Sequence, residues 1–236
     1  MSKAEIFRQL HRAPPLLVLP NAWDVASARA FAALPGCRAL ATSSAAVARS
    51  LGWEDGEQAP CEEMLRVVER IAAAVDVPVT ADLEAGYGDP PGTAAAAVAA
   101  GAAGMNLEDS HGGALLSIEE QVAIIAAVRA AAPELVLNAR VDTFISGDMH
   151  VAHAVERGNA YLAAGADCIY PIDAPADAIG ALAQGISGPV NILFGPESPG
   201  LDELEQLGVA RVTFGSGLAL VALTAAMRVA GRALER

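Results

Sequence analysis

Eight short hydrophobic runs recur along the chain, separated by longer alanine-rich stretches. The runs show no alternation of apolar and polar residues, which is typical of parallel strands covered on their outer face. They span 16–20, 39–43, 77–82, 104–108, 135–140, 167–171, 189–194 and 210–214. The stretches between them predict helices, and in two of these stretches apolar residues recur at three- and four-residue spacing. The clearest examples are 60–75, 117–131 and 149–164, and a last helix starts near Leu218.

Glycines mark the ends of several predicted helices. Each stands shortly before a strand, at Gly36, Gly101, Gly165 and Gly208. Glycine is preferred just past a helix end because the chain there adopts a left-handed conformation. The near-equal spacing of the first three indicates a weak internal repeat. Eight βα units in one domain over 1–236 predict an α/β fold, the (β/α)8 barrel, with a doubly wound open sheet as the alternative.

The amino-acid composition and net charge limit the kinds of partner that the protein is expected to bind. The 236-residue chain is 53% hydrophobic and 4% aromatic, which suits one large globular domain. Its net charge of −13 argues against a nucleic-acid partner and against an acidic membrane surface. The apolar runs are expected to be too short to span a membrane, and the N-terminal residues do not have the pattern of a signal peptide.

Cysteine and lysine usage excludes several functions. The cysteines, Cys37, Cys61 and Cys168, are too scattered for a zinc motif or a disulfide framework. This usage fits the reducing cytoplasm, where we expect the protein to reside. The single lysine, Lys3, lies in the N-terminal tail. The predicted barrel therefore has no lysine for a Schiff base or for a phosphate-binding P-loop.

Acidic residues gather where the third and fourth predicted strands end. Asp82 and Glu84 follow the third strand, and Glu108 follows the fourth. In (β/α)8 barrels the carboxyl ends of the strands carry the chemistry. Buried carboxylates need a positive partner, and oxygen ligands without histidine or cysteine favour Mg²⁺, with Mn²⁺ as the alternative. We therefore expect these three carboxylates to form a metal site.

Simpler roles compete with this interpretation for several single features. An acidic residue at a strand end often caps the following helix, and we expect this of Asp24 and Asp173. Arg140 ends the fifth strand and could pair with Asp142 or a neighbouring carboxylate. An arginine in an acidic barrel mouth also suits bidentate binding of a substrate carboxylate. The turn FGSG at 214–217 could hold a phosphate, but tight packing of the last helix explains it equally well.

Eight stretches in this order and spacing resemble the isocitrate lyase/phosphoenolpyruvate mutase superfamily over nearly the whole chain. The resemblance implies a Mg²⁺-dependent barrel that acts on 2-oxo-acid-like dianions through an enolate of pyruvate. The stretches are PNAWDVASAR (20–29), ATSSAAVARSLGWEDGE (41–57), TADLEAGYGD (80–89), NLEDS (106–110), ARVDTF (139–144), ERGNAYLAAGADCIYP (156–171), PVNIL (189–193) and RVTFGSG (211–217).

The resemblance implies roles for the acidic residues. Asp82 matches the direct metal ligand of the family. Glu84, Glu108 and Asp55 match the residues that hold the metal's water molecules. Such a metal would stabilise negative charge as it develops on the substrate. The resemblance therefore places Asp82, Glu84 and Glu108 at the metal, and Asp55 among the residues that act in catalysis.

The resemblance also implies a set of substrate contacts. Ser43, Ser44 and Ala45 match the loop whose serine and backbone amides receive the carboxylate and oxyanion end of the substrate. Arg140 matches the arginine that stabilises the enolate and holds the ligand. Asn191 lies where related proteins present a polar group to the distal end of the substrate. Asp82 would contact the substrate through the metal as well.

The sequence departs from the family after the fourth strand. Lyases of the family carry a Lys-Lys-Cys-Gly-His segment there, and mutases and phosphonopyruvate hydrolases use lysine, asparagine or threonine. The corresponding run, EDSHGGALLSIEEQ at 108–121, has no cysteine and no lysine. His111 is the titratable candidate that is left, and we expect it to face solvent more often than to act in catalysis. Flanking glycines would let it move.

The resemblance also bears on association. Other lyases of the family carry a further helix, past the last barrel helix, that is exchanged between subunits. The sequence is expected to lack that helix because it ends at Arg236. This argues against helix exchange but not against a homo-oligomer, which is the expected state.

These features favour a Mg²⁺-dependent carbon–carbon lyase that decarboxylates a small anionic 2-oxo acid, with oxaloacetate or a close relative as the expected substrate. Decarboxylation requires no proton donor or acceptor at the moment of bond cleavage. This suits the loop at 108–121, which has no cysteine and no lysine. The alternatives are a lyase of the 2-methylisocitrate or dimethylmalate type, a phosphonopyruvate mutase or hydrolase, and a 2-oxo-acid-binding protein without efficient chemistry.

Overall fold

All eight predicted strands are present in the computed structural model, which describes residues 1–12 and 14–235. Ala13 and Arg236, the last residue of the expected domain, lie outside the described residues. Seven strands fall inside their predicted runs, and the fifth extends one residue further. The strands are β1 (Leu17–Leu19), β2 (Asn21–Ala22), β3 (Leu40–Thr42), β4 (Val79–Asp82), β5 (Gly104–Leu107), β6 (Ser110–His111), β7 (Ala114–Leu115), β8 (Val136–Val141), β9 (Cys168–Pro171), β10 (Asn191–Leu193) and β11 (Arg211–Thr213).

The parallel strands follow one another around a barrel. One sheet has the order β2-β3-β4-β5-β8-β9, and a second has the order β1-β11-β10. A parallel bridge between Ile169 and Val190 joins the two sheets at one seam. At the other seam, β1 and β2 are consecutive parts of one strand interrupted at Pro20, which has no N–H for a ladder bond. The fold is the expected (β/α)8 barrel, and not a doubly wound open sheet.

Helices follow the strands, and most of them cover the barrel from outside. The sequence predictions for 60–75, 117–131 and 149–164 are confirmed to within two residues at each end. The helices are α1 (Lys3–Leu10), α2 (Val25–Ala32), α3 (Ser44–Leu51), α4 (Cys61–Ala74), α5 (Pro90–Ala99), α6 (Ile118–Ala131), α7 (Val151–Ala164), α8 (Ile179–Gly185), α9 (Leu201–Gln206) and α10 (Gly217–Leu234), with a short 3-10 turn at Ala176–Ala178.

Of the glycines predicted to end helices, Gly101, Gly165 and Gly208 lie within two residues of a helix end, whereas α2 already ends at Ala32, four residues before Gly36. Gly36, Gly101, Gly165 and Gly208 all have positive φ angles, between 84° and 119°. A residue with a Cβ atom would be strained there. The weak glycine repeat seen in the sequence therefore reports the conformation that returns each helix to the next strand.

The lower end of the barrel is closed by α1. Phe7 of this helix is fully buried and packs with Leu17, Leu19 and Val136, which belong to strands of the barrel. Because this end is plugged with apolar side chains, solvent reaches the barrel interior from the opposite end, where the strands have their carboxyl termini. That end is the one on which the sequence placed the acidic residues.

The last helix, α10, is not packed against the barrel. None of its residues is buried, and large apolar side chains such as Leu220 and Val229 are 64% and 70% exposed. By length and composition alone it could span a membrane, with a mean hydropathy of 1.4 over its 18 residues. The expectation that no apolar run reaches membrane-spanning length is therefore wrong for α10. Arg228 and Arg232 interrupt its apolar composition.

Candidate active site

A cavity of about 400 Å³ opens at the carboxyl ends of the barrel strands. Part of its wall is formed by residues that the sequence analysis had selected as site residues. These are Ser43, Ser44, Ala45, Asp55, Asp82 and Arg140. Six of the ten expected site residues therefore line one cavity, although this placement by itself does not test their roles.

Asp82 is held rigidly at the edge of this cavity. It is the last residue of β4, and its Oδ2 atom accepts hydrogen bonds from the backbone N–H and the hydroxyl of Ser44, both at 2.9 Å. Its Oδ1 atom accepts a third bond from Asn106 at 3.1 Å. The Oδ1 atom retains a further lone pair, whereas both lone pairs of Oδ2 are used. The Asp82 carboxylate is thus oriented by its neighbours and can still offer an oxygen to a ligand in the cavity.

The first turn of α3 forms a second part of the cavity wall. Ser43 is the N-cap residue, and its hydroxyl accepts a hydrogen bond from the backbone N–H of Ala46 at 3.4 Å. Among the described residues, the backbone N–H of Ala45 has no hydrogen-bond partner, and Ala45 lines the cavity. Free N–H groups and the positive end of the helix dipole favour an anion at such a turn.

Arg140 crosses from the cavity to two buried carboxylates. Its Nε and Nη2 atoms donate hydrogen bonds of 2.5 and 2.8 Å to Asp142, and its Nη1 atom pairs with Glu108. Burial acts to lower the pKa of Arg140, but the Asp142 hydrogen bonds and the charges of Glu108 and Asp142 outweigh it and raise the pKa. The simpler expectation, a pair with Asp142, is therefore met. The remaining N–H groups of the guanidinium are available to a ligand in the cavity.

Glu108 and Glu84 occupy an electrostatically unfavourable region. Burial, together with the charges of Asp82, Asp142 and Glu84, raises the pKa of Glu108 to about 9 in spite of its pair with Arg140. Burial also raises the pKa of Glu84, and its hydrogen bond from the Tyr87 hydroxyl offsets this only in part. A cation placed among these groups would relieve the repulsion between them.

The donor set fits Mg²⁺ with one direct protein ligand. In the part of the chain that the structure describes, the oxygens of Asp82, Glu84 and Glu108 do not all approach within 4.8 Å of one another. A set of three direct carboxylate ligands is therefore not formed. Mg²⁺ keeps several water molecules and binds through one or two carboxylates. A bound Mg²⁺ would be held directly by Asp82 and through water by Glu84 and Glu108, and these roles remain a prediction.

His111 lies away from the main cavity. It belongs to the β6–β7 hairpin and lines a neighbouring cavity of about 540 Å³, together with Glu57, Glu84 and Glu108. Its side chain is 68% exposed, and its Nδ1 atom lies 3.7 Å from a carboxylate oxygen of Glu57. The expectation that His111 faces solvent is confirmed, and a part in catalysis remains a prediction.

Asn191 is placed lower in the barrel than expected. It is fully buried and exchanges hydrogen bonds with Thr213 at 3.2 and 3.4 Å. The residues that reach the cavity from the same strand and the loop after it are Leu193, Phe194 and Gly195. This placement does not support direct substrate contact by Asn191, because its side chain lies beneath the cavity and its polar atoms are already paired.

Of the two acidic residues expected to cap helices, one does so and the other does not. Asp24 caps α2, and its carboxylate accepts a hydrogen bond from the backbone N–H of Ser27 at 2.7 Å. Asp173 caps nothing, since the following 3-10 turn begins at Ala176. Instead, Asp173 has a positive φ of 53° and lines the cavity. The expectation for Asp173 is therefore wrong, and its carboxylate belongs to the cavity.

A polar ladder beneath Asp82 was missed by sequence reasoning. The side-chain amide of Asn138 donates a 2.7 Å hydrogen bond to the Oδ1 atom of Asn106. The Nδ2 atom of Asn106 in turn donates a hydrogen bond to Asp82. The fully buried Arg211 reaches the same Oδ1 atom at 3.5 Å and lies over the ring of Phe7. Strand register aligns Asp82 with Asn106 and Asn106 with Asn138. A lone asparagine within each apolar run was the signal that could have revealed it.

The cysteines lie outside the cavity wall. Cys37 and Cys61 are half-buried and Cys168 is fully buried. Burial raises the pKa of each thiol, that of Cys168 to about 12. Because a thiol with a raised pKa is a poor nucleophile, these residues fit structural roles.

Comparison with known sequences identifies relatives of this fold. A family model described as phosphoenolpyruvate phosphomutase matches residues 7–234. An uncharacterized protein of Mycobacterium tuberculosis is 37% identical over 215 residues, which cover 89% of this chain and 81% of that one. A 2-methylisocitrate lyase of Bacillus subtilis is 31% identical over 177 residues, which cover 70% of this chain and 58% of that enzyme.

Solved structures show the same fold. A protein of Burkholderia cenocepacia J2315, provisionally named a phosphonomutase, is 42% identical, with a TM-score of 0.90 over 97% of this chain and 99% of that one. Oxaloacetate acetylhydrolase with its product oxalate is 25% identical, with a TM-score of 0.89 over 98% of this chain and 86% of that one. Phosphonopyruvate hydrolase with oxalate and Mg²⁺ is 27% identical, with a TM-score of 0.88 over 98% and 87%.

The relatives share the fold, and those with a named activity are lyases, hydrolases or mutases. One of them, phosphonopyruvate hydrolase, is solved with Mg²⁺ and oxalate. The family model covers nearly the whole chain, and the closely matching structures share the barrel on which Asp82 and Arg140 are placed. The chain belongs to the phosphoenolpyruvate mutase family of the isocitrate lyase/phosphoenolpyruvate mutase superfamily.

Proposed function

We propose that this protein is a Mg²⁺-dependent lyase that decarboxylates oxaloacetate, or a close relative of it, to the corresponding 2-oxo acid and CO₂. One observation carries the proposal. The cavity brings together an oriented carboxylate at Asp82, a guanidinium at Arg140 and the free N–H of Ala45. Among the described residues that line it there is no cysteine, histidine or lysine.

The substrate dianion would be held by the side of the cavity that α3 and β8 provide. The Ala45 N–H and the first turn of α3 bind the carboxylate next to the 2-oxo group, because that turn favours anions. Arg140 donates hydrogen bonds to the 2-oxo oxygen, on which negative charge develops. Asp82 would hold Mg²⁺, which would supply Lewis-acid stabilisation of the developing negative charge.

The bond that breaks joins C3 to the departing carboxylate carbon. Its electron pair passes to C2–C3 and on to the 2-oxo oxygen, so CO₂ leaves and an enolate remains. Arg140 is held by Asp142 and Glu108 in the position where it can stabilise this oxygen throughout. Water then protonates C3. No protein group has to donate or accept a proton in the step that breaks the bond.

Cleavage of a larger fragment makes a further demand on the site. A 2-methylisocitrate or dimethylmalate type of lyase needs a base for the departing fragment, or an acid to protonate the enolate, and such a group contributes about 10²–10⁴-fold. The exposed side chain of His111, outside the main cavity, is poorly placed for either task. This placement favours decarboxylation over the alternative carbon–carbon lyase.

Three substrates distinguish the candidate functions. Oxaloacetate, 2-methylisocitrate and phosphonopyruvate are compared under saturating Mg²⁺, with the metal-only decarboxylation of oxaloacetate subtracted. Faster turnover of either of the other two would contradict the proposal. Binding of oxalate without turnover of any of the three would support the 2-oxo-acid-binding protein instead.

We further propose that the protein is a homo-oligomer in the cytoplasm, assembled through α10. Its exposed apolar side chains, Leu220, Val221 and Met227 among them, are left without cover by their own barrel. In a complete (β/α)8 barrel the eighth helix covers the outer face of the sheet. A second copy can supply that cover reciprocally, which departs from the sequence-based expectation against helix exchange. Arg228 and Arg232 make a membrane a poorer environment for the helix.

A further inference from the structure

Two histidines converge on one carboxylate at the surface between β8 and α7. The Nδ1 atoms of His150 and His153 lie 2.8 and 2.7 Å from the two carboxylate oxygens of Asp148. The two imidazole rings are 5.0 Å apart, centroid to centroid. One ligand atom from each of the three residues lies within 4.8 Å of the others, and in the described chain no other group of three His, Cys, Asp or Glu residues meets this condition.

These histidines are unexpected at the places where they stand. His150 is the N-cap residue of α7, yet its side chain makes no capping hydrogen bond. Serine, threonine, aspartate and asparagine are preferred there. His153 lies in the first turn, where the positive end of the helix dipole disfavours a cation. Neither helix capping nor helix charge therefore explains the pair, whereas neutral imidazoles at this position are in the form that binds metals.

We propose that Asp148, His150 and His153 form a binding site for a transition-metal ion, with Zn²⁺ as the expected occupant. Two imidazole nitrogens and one carboxylate oxygen are a three-ligand set of the kind that leaves the fourth position of tetrahedral Zn²⁺ open to water. Mg²⁺ prefers oxygen ligands. The site therefore differs in chemistry from the acidic residues around Asp82.

The geometry requires only small side-chain movements. Zn²⁺ bonds of about 2.0–2.1 Å place tetrahedral ligand atoms about 3.3 Å apart, and the three residues already lie within 4.8 Å of one another. The side chains of His150 and His153 are 77% and 55% exposed, so their rings are free to turn. Hydrogen bonds from both histidines lower the pKa of Asp148, which keeps its carboxylate ionised.

Proton balance is simple when both imidazoles are neutral. In the metal-free arrangement each Nδ1–H donates to Asp148, and its Nε2 atom faces solvent. On binding, each ring changes tautomer, so that the proton moves to Nε2 and the Nδ1 lone pair faces the ion. No net proton is released in this exchange.

A metal ion at this site would restrain the loop between β8 and α7, which begins beside the candidate active site. The connection between β8 and α7 starts at Asp142, which holds Arg140, and ends at the three ligands. The backbone N–H of Asp148 already donates to the carbonyl of Thr143 at 2.9 Å. An ion bridging Asp148 to the first turn of α7 would reduce the mobility of this loop.

The test measures Zn²⁺ binding to the full chain, without an affinity tag, in the presence of saturating Mg²⁺. Isothermal titration of Zn²⁺ and the visible spectrum of bound Co²⁺ are recorded for the wild type and for the variants His150→Ala and His153→Ala. His111→Ala is the matched control, because His111 is also exposed and close to a carboxylate. Thermal melts without Zn²⁺ verify that all variants are folded.

We expect one equivalent of Zn²⁺ in the wild type and a tetrahedral Co²⁺ spectrum. Each of the two ligand variants should weaken binding by more than about 100-fold, beyond the effect of removing an outer-sphere partner, while His111→Ala should bind as the wild type does. The proposal is overturned if the wild type binds no Zn²⁺. It is equally overturned if folded His150→Ala and His153→Ala bind as the wild type, or if His111→Ala weakens binding as much as they do.

Discussion

Replacing Arg140 with methionine should separate what this residue does for stability from what it does for turnover. Arg140 and Glu108 have side chains that are only 14% exposed, and Asp142 is fully buried. Loss of one partner from a buried ion pair costs about 3–5 kcal/mol. Because the pKa of Glu108 is raised to about 9, Glu108 is neutral at pH 7 and only Asp142 is left as an unpaired charge, so we expect a cost of about 3 kcal/mol, at the lower end of that range.

This cost can be measured as a change in melting temperature. For a chain of this size each kcal/mol lowers Tm by about 2–4 °C, so Arg140→Met should melt about 6–12 °C below the wild type. If Arg140 also stabilises the enolate oxygen, kcat/KM for oxaloacetate should fall by at least about 100-fold, as for other lost oxyanion donors. Both values are taken on the same preparation, well below the variant's Tm.

A double variant distinguishes the two roles. Asp142→Asn removes the buried charge that Arg140→Met leaves unpaired, while its amide oxygen can still accept the hydrogen bond from Ser110. The double variant should therefore regain part of the lost Tm and none of the lost turnover. Recovery of kcat/KM together with Tm would refute direct action by Arg140. So would a loss of less than about tenfold in the single variant.

Three further predictions follow from the metal site, the cysteines and α10. At about 100 times its Kd, Mg²⁺ should raise the free energy of unfolding by about 2.7 kcal/mol, and Asp82→Ala should abolish this gain; melts with and without chelator test it, and an unchanged Tm on chelation contradicts it. Replacing the cysteines by alanine or serine should leave kcat/KM within a few-fold, because none lines the cavity; complete inactivity of a folded Cys61→Ser protein would revive a thiol mechanism. Leu223→Glu, which places a charge on an apolar side chain that is 59% exposed, should shift the mass measured by light scattering toward the monomer, whereas a wild type that is already monomeric would contradict assembly through α10.

The strands could be predicted from the sequence because parallel strands covered by helices are apolar on both faces. The left-handed glycines such as Gly165 were equally visible, since few other residues adopt that conformation. Positions at strand ends were also informative. Asp82 and Arg140 were placed correctly in the cavity wall because carboxyl ends of parallel strands meet at one end of a barrel.

The depth at which a given side chain lies within the barrel could not be predicted from the sequence. Asn191 was expected in the cavity, but it pairs in register with Arg211, and Leu193, two residues further along, takes the upper position. The same limit hid Asn106, because its contact with Asp82 depends on the register between β4 and β5. Register is set by pairing between strands that are distant in the sequence, which hydrophobic periodicity does not reveal.

The position of α10 relative to the barrel could not be predicted from the sequence either. Its composition predicts a helix, and that prediction is confirmed for Gly217–Leu234. An apolar helix surface indicates that something covers it but not whether the cover comes from the same chain. The helix does not pack against its own barrel. An ordinary eighth barrel helix would do so, and this difference is visible only in the structure.

The most direct test of the central claim is the rate at which the protein releases pyruvate and CO₂ from oxaloacetate in the presence of Mg²⁺. A coupled assay for pyruvate, with the protein-free metal background subtracted, gives this rate for the wild type and for Asp82→Ala and Arg140→Met. We predict turnover above background that requires Mg²⁺, is lost in Asp82→Ala, and exceeds the rates with 2-methylisocitrate and phosphonopyruvate. A wild-type rate equal to the background, or to that of a folded Asp82→Ala protein, would contradict the account.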